Sequence, residues 1–351
     1  MPEKDAEKKS AQRAIDAKLY DRAVGSPFTK VFEQTISKKL GDVPVLAINS
    51  GTGALVMALK TLSIGPGDEV IVPAFCSFFT ISSILSVGAT PVFVDVRLRD
   101  YAIDPAAIEK KLTARTKAIM VVHLFGQPAL GIGEVLKIAK KKFLPVIENA
   151  AQAFGAKIKI DGKQRFVGTL GDIGCFTFFS TIPFTNGKGV SIMVFQNKEQ
   201  LYTLAKKLRA ARANNVPGEG EVADVLTRLN SFDKRLDQRR KLAEFYTKQL
   251  GGVQGIILSA NHLEIENVWH RYVIRVARRD EFFEYLSRTM PAGHHFHSAA
   301  RFFALKKEHA PDDFPISKQA ASEIIFLPMF TTTAREEATQ VVQLIRAFFQ
   351  K

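Results

Sequence analysis

The stretch "VLAINSGTGALVMALKTLSIGPGDEVIVPAF", residues 45–75, reads as a strand, a turn of small residues, a helix and a second strand. Apolar and β-branched residues run almost unbroken through "VPVLAIN" and "DEVIVPAF", as expected of strands covered on both faces. Between them "GALVMALKTL" fits a helix. The alternation continues to residue 194. Further strands are expected at "TPVFVDV", "KAIMVVHL", "LPVIENA", "DIGCFTFF" and "VSIMVF", with the last two placed to pair through the turn "TNGKG". Helices fit "FTISSILSVG", "DPAAIEKKL" and "GIGEVLKIAKKK", the second with Asp104 as N-cap and Pro105 at the first helical position. Strands alternating with helices imply an α/β fold, a mostly parallel sheet covered by helices.

Beyond residue 210 the pattern changes. A polar, glycine-rich segment, "NNVPGEGEVAD", precedes a long amphipathic stretch at 225–250, and the remainder mixes strands and helices as a smaller α+β unit would. The expected organisation is an N-terminal arm at 1–25, a large α/β domain at 26–224, a connecting helix at 225–250 and a small C-terminal domain at 251–351.

With 46% hydrophobic and 24% charged residues in 351, the chain can bury a large core, which excludes a disordered polymer. The opening residues have no apolar segment of a secretory signal, and no run of about 18 apolar residues could span a bilayer. A cytoplasmic location is expected. Cys76 and Cys175 lie in apolar segments without metal-type spacing and read as core residues. The formal charge of +14 is spread along amphipathic helices, so it reads as a solvated surface that attracts anionic small molecules, ahead of a nucleic-acid partner.

Four small residues, Ser50, Gly51, Thr52 and Gly53, stand between strand and helix, where N–H groups and hydroxyls can close around a phosphate; the alternative is a plain tight turn. The spacing fails as a dinucleotide fingerprint, because no glycine stands at 56 or 57. Glu148, Asn149 and Gln152 end a strand at the sheet edge where α/β proteins bind ligands. His123 ends another and reads as structural before catalytic. His294, His295 and His297 lack an acidic or cysteine companion, so no metal is expected.

In their order, "NSGTGALVMALKTLSIGPGDEVIVPAFCSFFT", "GATPVFVDV", "TKAIMVVHLFGQPA", "VIENAAQAFGA", "GDIGCFTFF" and "FLPMF" resemble the DegT/DnrJ/EryC1/StrS family of sugar aminotransferases, from about residue 26 to the C-terminus. The resemblance implies a fold-type-I enzyme using pyridoxal 5'-phosphate (PLP) or its amino form (PMP) on nucleotide-linked keto sugars. It also implies a homodimer with sites at the subunit interface. Such chemistry needs a lysine, a carboxylate for the pyridine nitrogen, a stacking aromatic ring and a phosphate cradle. The cradle matches at Ser50 to Gly53 with Thr177, and Gln152 matches. The carboxylate position holds Asn149, the stacking position holds Ser77 beside Phe78, and the Schiff-base lysine position holds Ile182. Lys188, six residues on, is the only nearby lysine and reads as a turn residue before a catalytic one. The first expectation is therefore a pseudoenzyme that keeps the fold and dimer and binds a nucleotide sugar or related phosphorylated ligand in surface-polysaccharide metabolism. The alternative is an active aminotransferase or dehydratase, through Lys188 or a non-covalent cofactor.

Overall fold

The computed structural model describes residues 27–178, 190–196, 198–211, 216–259, 262–289, 297–298, 313–329 and 335–350. After helix α1 (Pro27–Lys39), the strands of the main sheet are β1 (Val45–Ile48), β2 (Glu69–Pro73), β3 (Thr90–Val94), β4 (Thr116–Val122), β5 (Val146–Asn149), β8 (Ile173–Thr177) and β9 (Ser191–Phe195). Their spatial order is β1-β9-β8-β5-β4-β2-β3. Only β9 runs against the rest, pairing antiparallel with both β8 and β1. The expected mostly parallel sheet is thus present, including the pairing of "DIGCFTFF" with "VSIMVF".

Two apolar layers bury this sheet. Leu46, Ile48, Val70, Val72 and Met120 face one, and Val45, Ala47, Ile71, Ile119 and Val121 face the other, so neighbouring residues alternate between cores. Helix α2 (Gly51–Thr61) and helix α3 (Phe78–Ser86) cover the first side. Helix α4 (Pro105–Ile108) starts as expected, Asp104 accepting the Ala106 N–H at 3.1 Å. Helix α5 (Ile132–Lys141) leads into β5.

Strands β6 (Lys157–Ile160) and β7 (Lys163–Phe166) form an antiparallel hairpin that the strand expectations omitted. Its signal is local: Asp161 and Gly162 both have positive φ, 49° and 79°, as a two-residue Asp-Gly turn requires.

The long helix expected at 225–250 is instead two helices. After α6 (Glu199–Ala210) come α7 (Glu219–Leu229) and α8 (Phe232–Leu250). The Ser231 N–H and hydroxyl both bond the Arg228 carbonyl, at 3.1 and 3.2 Å, and the Arg235 guanidinium bonds it as well. This local competition for a backbone acceptor ends the first helix.

The C-terminal part has its own sheet. Strands β10 (Ile256–Leu258), β12 (Tyr272–Val276), β13 (His297–Ser298) and β14 (Ile324–Leu327) are ordered β10-β12-β14-β13, while β11 (Ile265–Glu266) joins the hairpin. Helices α8, α9 (Arg279–Thr289) and α11 (Arg335–Phe349) stand beside this sheet, with Tyr246, Tyr272, Ile325, Val341 and Ile345 buried in a third core.

The two sheets are tied through Asp95 and helix α10 (Pro315–Glu323). The Asp95 carboxylate accepts the Ile316 and Ser317 N–H groups at 3.0 and 2.9 Å and the Ser317 hydroxyl at 2.6 Å. A carboxylate on the first turn satisfies orphan donors and favours the positive end of the helix. Asp95→Ala is expected to lower the unfolding free energy by about 1–2 kcal/mol, measured by urea titration, while Asp95→Asn should lose less.

Candidate functional site

A cavity of about 510 Å³ opens at the carboxyl ends of β4, β5 and β8. This lies within the range of small-ligand sites. Its wall begins at Ser50, the N-cap of α2, whose hydroxyl accepts the Gly53 N–H at 3.1 Å. The N–H groups of Gly51 and Thr52, one residue further into the cavity wall, have no intrahelical acceptor by their position in the first turn. Across from them stands Thr177, whose Oγ1 accepts from the Ser191 hydroxyl at 3.1 Å. A Cβ on Gly51 would lie 3.5 Å from the Thr177 Cβ, so the two walls already touch. N–H groups at a helix start facing hydroxyls make an anion cradle.

The floor is Asn149, the last residue of β5. Its Oδ1 accepts the Ala151 N–H at 3.2 Å and its Nδ2 donates to Thr80 Oγ1 at 3.0 Å. Gln152 lies beside it, with Oε1 accepting the Phe125 N–H at 2.7 Å. That bond holds Phe125 at φ 61° and is followed by Gly126 at φ 89°, where any Cβ would fall 2.6 Å from the His270 N. The Phe125 and Gly126 carbonyls in turn accept the Arg271 and Val268 N–H groups, both at 3.1 Å, so the cavity edge is stitched to the strand entering the second sheet.

Glu148 points the other way. Although it neighbours Asn149 in sequence, it does not line the cavity, because successive side chains of a strand face opposite sides. Its fully buried carboxylate accepts from Gly168 N at 2.7 Å, Leu170 N at 2.7 Å and Gly171 N at 2.6 Å, and from His123 Nε2 at 2.9 Å. His123 Nδ1 accepts the Ala129 N–H at 3.0 Å, which places the ring proton on Nε2. Both nitrogens are occupied, and His123 is a structural partner of Glu148. Burial pushes the Glu148 carboxyl up, but His123 and the amides of Gly171 and Gly168 outweigh it and hold it below its ordinary value.

The stacking position reads differently from the sequence expectation. Ser77 caps α3, accepting the Phe79 N–H at 3.4 Å, and Phe79 rather than Phe78 lines the cavity. Phe78 and Phe79 are 57% and 66% exposed, which leaves an apolar rim. Cys175 also lines the wall, while Cys76 is buried beneath the rim; burial pushes both thiols up, Cys76 to about 12, and neither is a thiolate.

The cavity therefore gathers Ser50, Gly51, Thr52, Asn149, Gln152 and Thr177, whereas Gly53 acts from behind through its N–H. Thr80 and Phe79 were not singled out from the sequence. The signal for Thr80 is its place on the first turn of α3, three residues after the cap. Ile182, Lys188, His294 and His295 lie outside the described residues. No described helix is long and apolar enough to cross a membrane.

A model of the DegT/DnrJ/EryC1/StrS aminotransferase family matches residues 3–346. The chain is similar to the UDP-N-acetyl-3-dehydro-alpha-D-glucosamine 3-aminotransferase of Acidithiobacillus ferrooxidans, at 35% identity over 317 residues, covering 85% of this chain and 82% of that protein. It is also similar to the dTDP-3-amino-3,6-dideoxy-alpha-D-galactopyranose transaminase of Aneurinibacillus thermoaerophilus, at 33% identity over 90% of this chain and 89% of that one. Among solved structures, that of S. venezuelae DesV in complex with a ketimine intermediate superposes with a TM-score of 0.87 at 27% identity, over 98% of this chain and 94% of that chain.

Because folding lowers the Glu148 pKa from 4.5, its stabilisation is complete above that value and is lost as pH falls through the folded one. Glu148→Gln leaves buried N–H donors without an acceptor and should lower the unfolding free energy at pH 7 by about 1–3 kcal/mol. In urea titrations from about pH 7 down to pH 3.5, the gap between variant and parent should narrow.

Proposed function

The chain belongs to the DegT/DnrJ/EryC1/StrS aminotransferase family, and from that premise we propose that its cavity binds PLP or PMP without a covalent bond and serves amino transfer to a nucleotide-linked keto sugar. The observation carrying this reading is the cradle of Ser50, Gly51, Thr52 and Thr177 placed beside the amide floor of Asn149 and Gln152. The residues present fit a phosphate-bearing pyridine: the helix-start N–H groups of Gly51 and Thr52 and the neighbouring hydroxyls suit the phosphate, and the volume suits the ring and part of a sugar. When bound, PMP supplies the amino group and the conjugated ring on which transfer depends.

In this reading Gly51 and Thr52 bind phosphate through their N–H groups, and Thr177 adds a hydroxyl. Asn149 and Thr80 position the ring from below, while Gln152 keeps the Phe125 turn in place at the edge. With isoleucine at 182, that position has no amine to form a covalent link. The relatives named for UDP- and dTDP-sugars support a nucleotide sugar as substrate. A second copy of the chain covering the exposed Phe78 and Phe79 rim would make the active form a homodimer.

A second reading, a pseudoenzyme that binds the nucleotide sugar without amino transfer, is favoured by one specific observation: Asn149 and Ile182 together remove both charged groups of the usual chemistry.

Titration with PLP and PMP, followed by absorbance and calorimetry, tests the cofactor. Thr177→Val should weaken binding about 10- to 100-fold, the worth of one hydrogen bond to a charged acceptor. Borohydride reduction of the PLP complex should leave Lys188 unmodified. Amino transfer from the PMP-loaded protein to UDP-N-acetyl-3-dehydro-alpha-D-glucosamine separates the two readings. Binding without transfer to this or other nucleotide-linked keto sugars supports the second, and absence of binding at millimolar PLP removes the cofactor from both.

A further inference from the structure

The hydrogen bonds around the cavity determine what its polar groups still have to offer. The Ala151 N–H can only donate, so the Asn149 atom facing it at 3.2 Å must be the carbonyl oxygen. The other end of the amide is therefore Nδ2, one of whose hydrogens goes to Thr80 Oγ1 at 3.0 Å. Among the described residues Thr80 is the only acceptor for Nδ2, and the second hydrogen is left for a ligand.

Gln152 is arranged in the same way. Its Oε1 is turned to the Phe125 N–H, so the amide's Nε2 end lies opposite that bond and can donate to a ligand. His123 offers nothing, since Nδ1 accepts from Ala129 and Nε2 donates to Glu148. No aspartate, glutamate, lysine or arginine is among the described lining residues. The amide floor thus presents N–H donors, with neither a carboxylate nor a free ring nitrogen to receive a proton.

A pyridine nitrogen needs opposite partners in its two states. Protonated, it donates and requires an acceptor, best a carboxylate; unprotonated, it accepts. Set against an N–H donor, the protonated form loses its hydrogen bond and places a positive charge beside a positive hydrogen.

We infer that Asn149 makes the floor of this cavity a donor site that holds the pyridine ring with its nitrogen unprotonated, so that Asn149 selects a neutral heterocycle. This rests on the cofactor reading proposed above. It makes the ring a weaker electron sink than a protonated one. Exchanging the amide for a carboxylate would reverse the preference with little disturbance, because the Ala151 N–H and the rotatable Thr80 hydroxyl can both donate to a carboxylate.

The test is 15N NMR of the full chain loaded with PLP labelled at the ring nitrogen. In the parent protein the resonance should remain at the position of an unprotonated pyridine between pH 6 and 8. In Asn149→Asp it should move upfield to that of a pyridinium. The unaltered protein provides a second measurement: an analogue with CH in place of the ring nitrogen should bind about 5- to 10-fold more weakly than PLP, the loss expected for one hydrogen bond. A protonated nitrogen in the parent, or equal affinity for the two compounds, overturns the inference while leaving the cofactor reading standing. No binding of PLP overturns both.

Discussion

The buried carboxylate of Glu148 sets the geometry on which the site depends. A charge taken fully out of water is tolerated only when its oxygens are satisfied by strong donors, and here three backbone amides and one imidazole supply them. Those donors come from the end of β4 and from the turn before β8, so one group ties β5 to both of its neighbouring strands. The turn lies so close to β8 that a Cβ on Gly174 would fall 1.9 Å from the Gly168 carbonyl oxygen. The next residue along β5 faces the opposite side, and so the knot that holds Glu148 in place also aims Asn149 into the cavity.

Around that fixed floor the cavity divides into a part shaped for anions and a part without charge. Ser50, Gly51, Thr52 and Thr177 concentrate donors at the positive end of α2, where a phosphate gains most. Deeper in, Asn149 and Thr80 bond each other and His123 is fully occupied, so polar groups are present but neutral. The described lining thus gathers donors suited to an anion at one end and only neutral polar groups at the other.

The second sheet joins the site through backbone contacts. The Phe125–Gly126 turn bonds to Gln152 on one side and to the segment entering β12 on the other. Farther out, Asp95 caps α10, and Phe93 packs edge-on against Phe314 with ring centroids 6.2 Å apart. A displacement of the second sheet would be felt at Gln152 through these bonds.

Sequence by itself determined the strand and helix alternation, the Asp104 cap, the antiparallel β8–β9 pair and the small residues at the start of α2 that line the cavity. Each follows from local chemistry: burial period, capping and small residues at a strand-to-helix turn. The break between α7 and α8 escaped it because a serine within an amphipathic run does not by itself show that its N–H and hydroxyl will both take the Arg228 carbonyl. Residue identity also showed that 149 and 182 hold no charged group. Tertiary structure alone decided that Glu148 and Asn149, adjacent and similar in size, have unrelated roles, and that Phe79 rather than Phe78 faces the cavity. The physical reason is directional: a hydrogen bond depends on where its donor stands, and those donors come from residues 2 to 25 positions away along the chain.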